Sequence, residues 1–231
     1  MTKNNVNPKL TKSPLSEVLV ELRYTPPQEI SLLIGKLSQQ LNEYPVFENL
    51  MVPDFPISTP EFDKLIRYRF YNESKSKLYN LGKGVISVNS LTYGGFDEFL
   101  ADVNTVLIKH RELTTVEKIT RVGLRYINKI QVDRPIADIL AVGFDLPKII
   151  SDIEKGFNFT SSGEIENGAL TTRILTSTTN KSELIIDFDF YKNDFGEYDL
   201  DNINEWIDCG HDVIYNAFKS LLVPNYFKEL E

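Results

Sequence analysis

The chain has 231 residues, 42% of them hydrophobic and 25% charged, which is the composition of a soluble globular protein with a substantial core. Its formal net charge of −8 argues against non-specific binding to nucleic acid or to an anionic membrane. The single cysteine, Cys209, excludes an intrachain disulfide and argues against a cysteine-based zinc site.

The chain start is polar, and residues 1–13 predict a disordered arm. The start has no apolar segment of the kind found in signal peptides. No run approaches the roughly 18 apolar residues of a membrane span. We therefore expect a cytoplasmic protein with no membrane partner.

Strands and helices are predicted next, and each is identified by the spacing of its apolar residues. LSEVLVELRY, which follows Pro14, alternates apolar and polar side chains, as a half-buried strand does. Later apolar residues recur at helical or strand spacing, with prolines and glycines between the segments. The elements predicted up to residue 113 are a strand at Leu15–Tyr24, a helix at Gln28–Tyr44, a short edge strand at Val46–Val52, a strand at Lys64–Asn72, one or two strands within Leu78–Leu91, and a helix at Phe96–Leu113.

The rest of the chain repeats this order. Acidic residues at Asp199–Asp201 are N-cap candidates for a last helix, and Pro224 predicts its end. The elements predicted after residue 118 are a strand at Ile119–Val132, an interrupted helical region at Pro135–Lys155, strands at Gly156–Ser162, Ala169–Ser177 and Ser182–Tyr191, and a helix that ends near Leu222.

Both halves begin with a similar strand, VELRY at 20–24 and VGLRY at 122–126. Each half then predicts a helix, three strands and a helix, which indicates an internal duplication of residues 14–116 and 117–231, packed as one compact unit. The predicted fold class is α+β, with a largely antiparallel sheet covered by helices on one face. The layout resembles the TATA-box-binding-protein-like fold, and that resemblance carries no function. The alternative is that two strands share Val, Leu and Tyr by composition alone.

One face of the predicted sheet collects charged side chains, because side chains alternate across a strand. Arginine presents a planar fork that suits a carboxylate or a phosphate, so this face is a candidate ligand-binding surface for an anion. The alternative is a solvated face on which these groups pair with each other. We expect Arg125→Ala to leave the fold intact and to weaken anion binding. The candidate ligand-binding residues are Glu21, Arg23, Arg67, Arg69, Arg121, Arg125, Asp187 and Asp189, with Arg173 as a further member.

No recognised catalytic motif is present: the chain has no P-loop, no GxGxxG and no GxSxG. The two histidines, His110 and His211, fall on different predicted helices and lack metal-ligand spacing. The acidic stretch at 187–202 lacks the spacing of a calcium-binding EF-hand loop. We therefore expect no catalytic residue, no metal site and no cofactor.

Three stretches, PLSEVLVELRY, RVGLRYINKI and DFDFY with the following NINEWIDCGHDVIYNAFKSLL, resemble a sporadically distributed bacterial protein family with no assigned function. The resemblance implies a cytosolic accessory protein, for example in defence or toxin control. We expect a non-enzymatic module that binds a protein partner or an anionic small ligand through its arginine-bearing face; an oligomer is compatible with the sequence. The alternatives are an enzyme acting on a phosphorylated or nucleotide substrate, with Arg121, Arg125 and Asp187 or Asp189 in its site, and a structural subunit of a larger complex.

Overall fold

The computed structural model describes residues 10–25, 30–50, 66–116, 118–141, 158–176 and 183–231. These residues form nine strands and four α-helices, with a short 3₁₀ helix at Ile136–Asp138. The strands are β1 (Leu15–Tyr24), β2 (Val46–Asn49), β3 (Ile66–Tyr71), β4 (Lys77–Gly82), β5 (Val85–Ser90), β6 (Ile119–Gln131), β7 (Asn158–Ile165), β8 (Gly168–Thr176) and β9 (Glu183–Gly196). The helices are α1 (Ile30–Gln40), α2 (Phe96–Leu113), α3 (Leu200–Leu221) and α4 (Pro224–Leu230).

All nine strands belong to one antiparallel sheet in the order β2-β3-β4-β5-β1-β6-β9-β8-β7. β1 and β6 lie beside each other near its middle, with Val20 opposite Leu124 and Arg23 opposite Arg121. The prediction of an α+β protein with a large antiparallel sheet is confirmed.

The sheet has one apolar face, which we call the helix face, and it forms the core. In β1, Val18, Val20 and Leu22 are almost completely buried. Val20 and Leu22 pair with apolar residues of both β5 and β6, and Val18 pairs with Ser90 of β5 and Tyr126 of β6. Burying each such side chain contributes about 1.5–3 kcal/mol relative to leaving it exposed.

The side chains that alternate with this core form what we call the polar face. Its polar members include Glu17, Glu21, Arg23, Arg69, Asn80, Ser87, Asn89, Arg121, Arg125, Thr171, Arg173, Asp187 and Asp189.

The helices pack on the helix face. In α2, His110 contacts Tyr24 of β1. In α3, Gly210 lies so close to the sheet that an added Cβ would come within 2.7 Å of a ring carbon of Phe190. α1 packs beside α2. None of the described helices is long and apolar enough to cross a membrane.

Helix α3 forms because an acidic residue caps its start and its apolar residues recur at helical spacing. The side chain of Asp199 accepts hydrogen bonds from the backbone N–H groups of Asp201 and Asn202, which otherwise lack partners at a helix start. The buried stripe of α3 is Leu200, Ile203, Trp206, Ile207, Gly210, Ile214 and Phe218.

Several predicted boundaries differ from the structure. α1 ends at Gln40 rather than Tyr44, and β9 continues to Gly196 rather than ending at Tyr191. Pro224 begins α4, because proline is well suited to the first helical position, where no backbone N–H is required. Leu78–Leu91 holds two strands, the second of the two predicted alternatives, so four strands lie between α1 and α2 rather than the three of the predicted repeat.

Some predictions fall on residues outside the described ranges. These include residues 1–9 of the predicted arm and most of the predicted helical region at Pro135–Lys155. At the described end of the arm, the Lys12 N–H donates to the Leu230 carbonyl oxygen at 3.0 Å, and the Thr11 hydroxyl donates to the same oxygen.

Candidate functional site

The centre of the polar face is a buried carboxylate held by two arginines. Arg125 of β6 donates from Nε and Nη2 to the two oxygens of Asp187 in β9, at 2.7 and 2.8 Å. Arg173 of β8 donates from Nη1 to the same carboxylate at 3.0 Å. The hydrogen bonds with Asp187 raise the pKa of Arg125, so its guanidinium stays charged. The Asp187 side chain is only 6% exposed.

A second ion-pair group lies beside the first and depends on a glycine. The Arg121 side chain lies across Gly123, where an added Cβ would stand 2.6 Å from Arg121 Nη1. In this position Arg121 donates from Nη1 to Glu21 at 3.0 Å and from Nη2 to both oxygens of Asp189 at 3.1 Å. The centroid of the Tyr191 ring lies 4.9 Å from the guanidinium carbon of Arg121. The glycine of VGLRY therefore gives Arg121 room to bridge β1 and β9.

The same carboxylate of Glu21 also accepts a hydrogen bond from Arg23 Nε at 2.7 Å. Glu21 is thus shared by two arginines, as Asp187 is. Both acids are more buried than the arginines that flank them: the exposed side-chain fraction is 16% for Glu21 and 40% for Arg23. Glu21 and Asp187 therefore lie inward of Arg23, Arg125 and Arg173, whereas Arg121 and Asp189 are buried to a similar degree, at 19% and 20% exposed.

Towards β3, the polar face continues as a chain of buried amide and hydroxyl groups. Arg69 Nε donates to the side-chain oxygen Oδ1 of Asn80 at 3.1 Å. The Asn80 amide donates to Ser87 Oγ and Asn89 Oδ1, and the Asn89 amide donates to Glu17 at 2.7 Å. Asn80, Ser87 and Asn89 are all buried. Sequence analysis missed these three residues, although the alternation in β4 and β5 assigns them to this face.

The structure brings most predicted site residues together. Arg67 lies apart, at an irregular position of β3 where the register with β4 shifts between Ile66 and Tyr68. Arg69 joins the others only through its contact with Asn80. The predicted residues in the central ion-pair network are Glu21, Arg23, Arg121, Arg125, Arg173, Asp187 and Asp189.

A cavity of about 100 Å³ lies on the opposite side of the sheet, at the helix face. At its wall, Tyr126 of β6 and His211 of α3 share a hydrogen bond of 2.8 Å between the hydroxyl and Nδ1. The His211 ring stacks on Phe96 at the start of α2, with centroids 4.1 Å apart. Burial lowers the pKa of His211, so the ring is neutral at neutral pH. Other lining residues are Leu15, Tyr93, Ile214, Tyr215 and Phe218.

A similar tyrosine–histidine pair occurs in the other half of the chain. Tyr24 is the last residue of VELRY, as Tyr126 is of VGLRY, and its hydroxyl lies 3.0 Å from His110 Nε2. The other ring nitrogen of His110 shares a hydrogen bond of 3.1 Å with the Tyr198 hydroxyl, so both ring nitrogens have a partner. Burial lowers the pKa of His110 to about 3. Sequence analysis did not identify either pair; the signal was the tyrosine that ends both VELRY and VGLRY.

Comparisons with known proteins give little further information. No protein-family model matches the chain, so its resemblance to the sporadically distributed family remains a prediction. No curated protein matches it. Among solved structures, the chain is similar to Methanococcus jannaschii TBP, with a TM-score of 0.33 and 10% sequence identity over 93% of this chain and 100% of that one.

Proposed function

We propose that the protein is a non-enzymatic binding module whose polar face recognises an anionic group, either on an acidic segment of a protein partner or on a small ligand. The observation that carries the proposal is the layering of charge at this face. The three arginines Arg23, Arg125 and Arg173 have 38–40% of their side-chain surface exposed. The two carboxylates beneath them, Glu21 and Asp187, have only 16% and 6% exposed.

This layering favours anion binding because the carboxylates fix the arginines without using all of their donors. A guanidinium group has five N–H donors, and the contacts described above use one on Arg23, two on Arg125 and one on Arg173. Groups held in place before binding lose less side-chain entropy when a ligand arrives. The surface that an anion meets is therefore made of pre-oriented guanidinium groups.

The proposal includes an internal duplication that creates this face. The strand order has β5-β1 on one side of the middle and β6-β9 on the other, so β1 and β6 would be equivalent strands. Two features support the equivalence. Arg23 and Arg125 precede the final tyrosine of the two related segments, and that tyrosine contacts a helix histidine in each half.

The enzymatic alternative has less support from the geometry. The only two histidines of the chain bond to tyrosines at the helix face, away from the polar face. The carboxylates of the network are already bound to arginines. A cytoplasmic accessory role, such as defence or toxin control, is part of the proposal and is suggested only by the family resemblance.

Isothermal titration calorimetry at low salt tests the proposal, with pyrophosphate and an end-capped tetraglutamate peptide as probes. The variant Arg23→Gln/Arg173→Gln removes two exposed guanidinium groups that are not the main support of Asp187. We expect binding at least about tenfold weaker, because each lost charge-assisted contact at an exposed site is worth roughly 1 kcal/mol. Added salt should weaken the wild-type complex.

The matched control is Arg111→Gln/Arg134→Gln, which removes the same charge elsewhere. Arg111 is exposed on α2, and Arg134 pairs with Asp133 and with Glu229 of α4. The control should bind both probes as the wild type does. Equal losses in the two double variants would show a general charge effect, and no binding by the wild type would remove the proposal.

A further inference from the structure

We propose that the cavity beside Tyr126 and His211 is a second binding site, for a small neutral molecule with one planar ring and one hydroxyl or carbonyl group. The site lies across the sheet from the polar face and does not depend on the function proposed for that face. Its shape, its lack of charge and a buried hydroxyl without a partner define this ligand class.

The size and lining of the cavity suit a single ring. Its volume is about 100 Å³, and its lining is mostly aromatic and aliphatic. The lining also includes Asn128, whose side-chain amide donates to the Ile186 carbonyl oxygen at 3.3 Å. An engineered apolar cavity of roughly 150 Å³ takes up benzene. Ser13, an exposed residue, is part of its lining, and from this we infer an opening through which the edge of a ring of similar size extends. Apolar pockets with a few polar groups are the usual form of small-molecule sites.

The lining excludes a charged ligand. None of the residues that line the cavity, all within the described ranges, is an aspartate, glutamate, lysine or arginine. The one basic ring of the lining, His211, is held neutral by burial, which lowers its pKa. A carboxylate or ammonium group placed here would lose its hydration without gaining a counter-ion. The ligand is therefore neutral.

The proposed polar contact is the hydroxyl of Tyr215, a residue of the lining, which a turn of the side chain brings to the ligand. Within the described part of the chain, the Tyr215 hydroxyl oxygen is buried and makes no hydrogen bond. A buried polar group without a hydrogen-bond partner is energetically unfavourable. A ligand that supplies the missing partner therefore gains affinity. Tyr126, by contrast, is already bonded to His211. Tyr215 is thus the group that selects a ligand with a hydroxyl or a carbonyl.

The other tyrosine–histidine pair shows that a cavity is not needed for this arrangement to pack. His110 uses both ring nitrogens, on Tyr24 and Tyr198, and is completely buried. At the second pair, the Tyr126 ring packs edge-on against Tyr93, with centroids 6.1 Å apart. A cavity lies beside these rings, and the Tyr215 hydroxyl makes no hydrogen bond within the described residues. We interpret this difference as a binding site retained in one half only.

The test is to titrate phenol into the full-length protein and to monitor binding by two-dimensional ¹H–¹⁵N NMR. Phenol should bind with a dissociation constant of about 1 mM, which is typical for a ligand of this size, and should shift the signals of residues around the cavity. Benzoate has the same ring with a charge, and cyclohexanol has the hydroxyl without the flat ring. Both should bind at least about tenfold more weakly.

The variant Tyr215→Phe separates recognition from packing, because it removes only the hydroxyl. It should weaken phenol binding about fivefold and leave toluene binding unchanged. Its thermal midpoint should equal or exceed that of the wild type, since the lost hydroxyl has no partner. The control is Tyr79→Phe, which removes another buried hydroxyl without a partner in the described structure, outside the cavity, and should not affect phenol binding.

Three results would overturn the proposal. Phenol and cyclohexanol binding equally well would mean that the cavity does not select a planar ring. Phenol binding unaffected by Tyr215→Phe would remove the assigned contact. Signal shifts confined to residues away from the cavity would place phenol elsewhere. Each outcome leaves anion binding by the polar face as a separate question.

Discussion

Replacing Arg125 with alanine should destabilise the protein, contrary to the expectation from sequence that the fold would be unaffected. Asp187 accepts three hydrogen bonds, and Arg125 supplies two of them at 2.7 and 2.8 Å. The Asp187 side chain is 6% exposed, so water cannot easily replace the lost donors. The variant leaves a buried carboxylate with Arg173 as its remaining described partner.

The expected loss is about 2–3 kcal/mol in the free energy of unfolding. Removing one member of a buried ion pair commonly costs about 3–5 kcal/mol. The value here is lower because Arg125 is 38% exposed and Arg173 still holds Asp187. Arg173→Ala removes a single 3.0 Å contact from a side chain that is 40% exposed, so its cost should be about 1 kcal/mol or less.

Urea unfolding of the wild type, Arg125→Ala, Asp187→Ala and the double variant measures this interaction as a double-mutant cycle. We expect a coupling energy of about 2 kcal/mol between the two residues. A coupling energy below about 0.5 kcal/mol, or equal losses for Arg125→Ala and Arg173→Ala, would refute Asp187 as the buried anchor of the polar face.

Three further predictions follow from particular contacts. Gly123→Ala should displace Arg121 and lower the free energy of unfolding by about 1 kcal/mol in urea titrations; an unchanged value would contradict the assigned role of this glycine. Gly210→Ala should cost about 1–3 kcal/mol by overpacking, whereas Gly35→Ala, in open space on α1, should stabilise by roughly 0.5–1 kcal/mol; calorimetry would expose a reversed order. The pKa of His110 is about 3 when folded and about 6.5 when unfolded, so below pH 6.5 the unfolded chain binds a proton that the folded one excludes. His110 should thus lower the free energy of unfolding by about 1.4 kcal/mol per pH unit between pH 6.5 and 3, and the pH slope of unfolding curves for His110→Gln should be smaller by this amount.

Sequence analysis could predict the two faces of the central strands, because alternation has a fixed period of two residues. That period alone places Arg121 and Arg125 on one face of β6 and the buried Val122 and Leu124 on the other face. Helix α3 was also predictable, since its apolar stripe and its N-cap at Asp199 are local features.

The ion pairs could not be predicted, because they depend on which strands are neighbours. Arg125 reaches Asp187 only because β6 lies beside β9, and Arg173 reaches it because β8 lies on the other side of β9. The contact between Tyr126 and His211 likewise joins a strand and a helix 85 positions apart in the chain. Local patterns carry no information on such pairing, which explains why Gly123 and the cavity were both missed.

The central claim is that exposed guanidinium groups of the polar face bind an anion. It is tested most directly by following the arginine Nε–Hε signals by NMR while tetraglutamate peptide is added. We predict saturable shifts for Arg23, Arg125 and Arg173, with Arg111 and Arg134 unchanged. Equal shifts of all arginines, or none at all, would contradict the claim and leave the polar face as an internal ion-pair network.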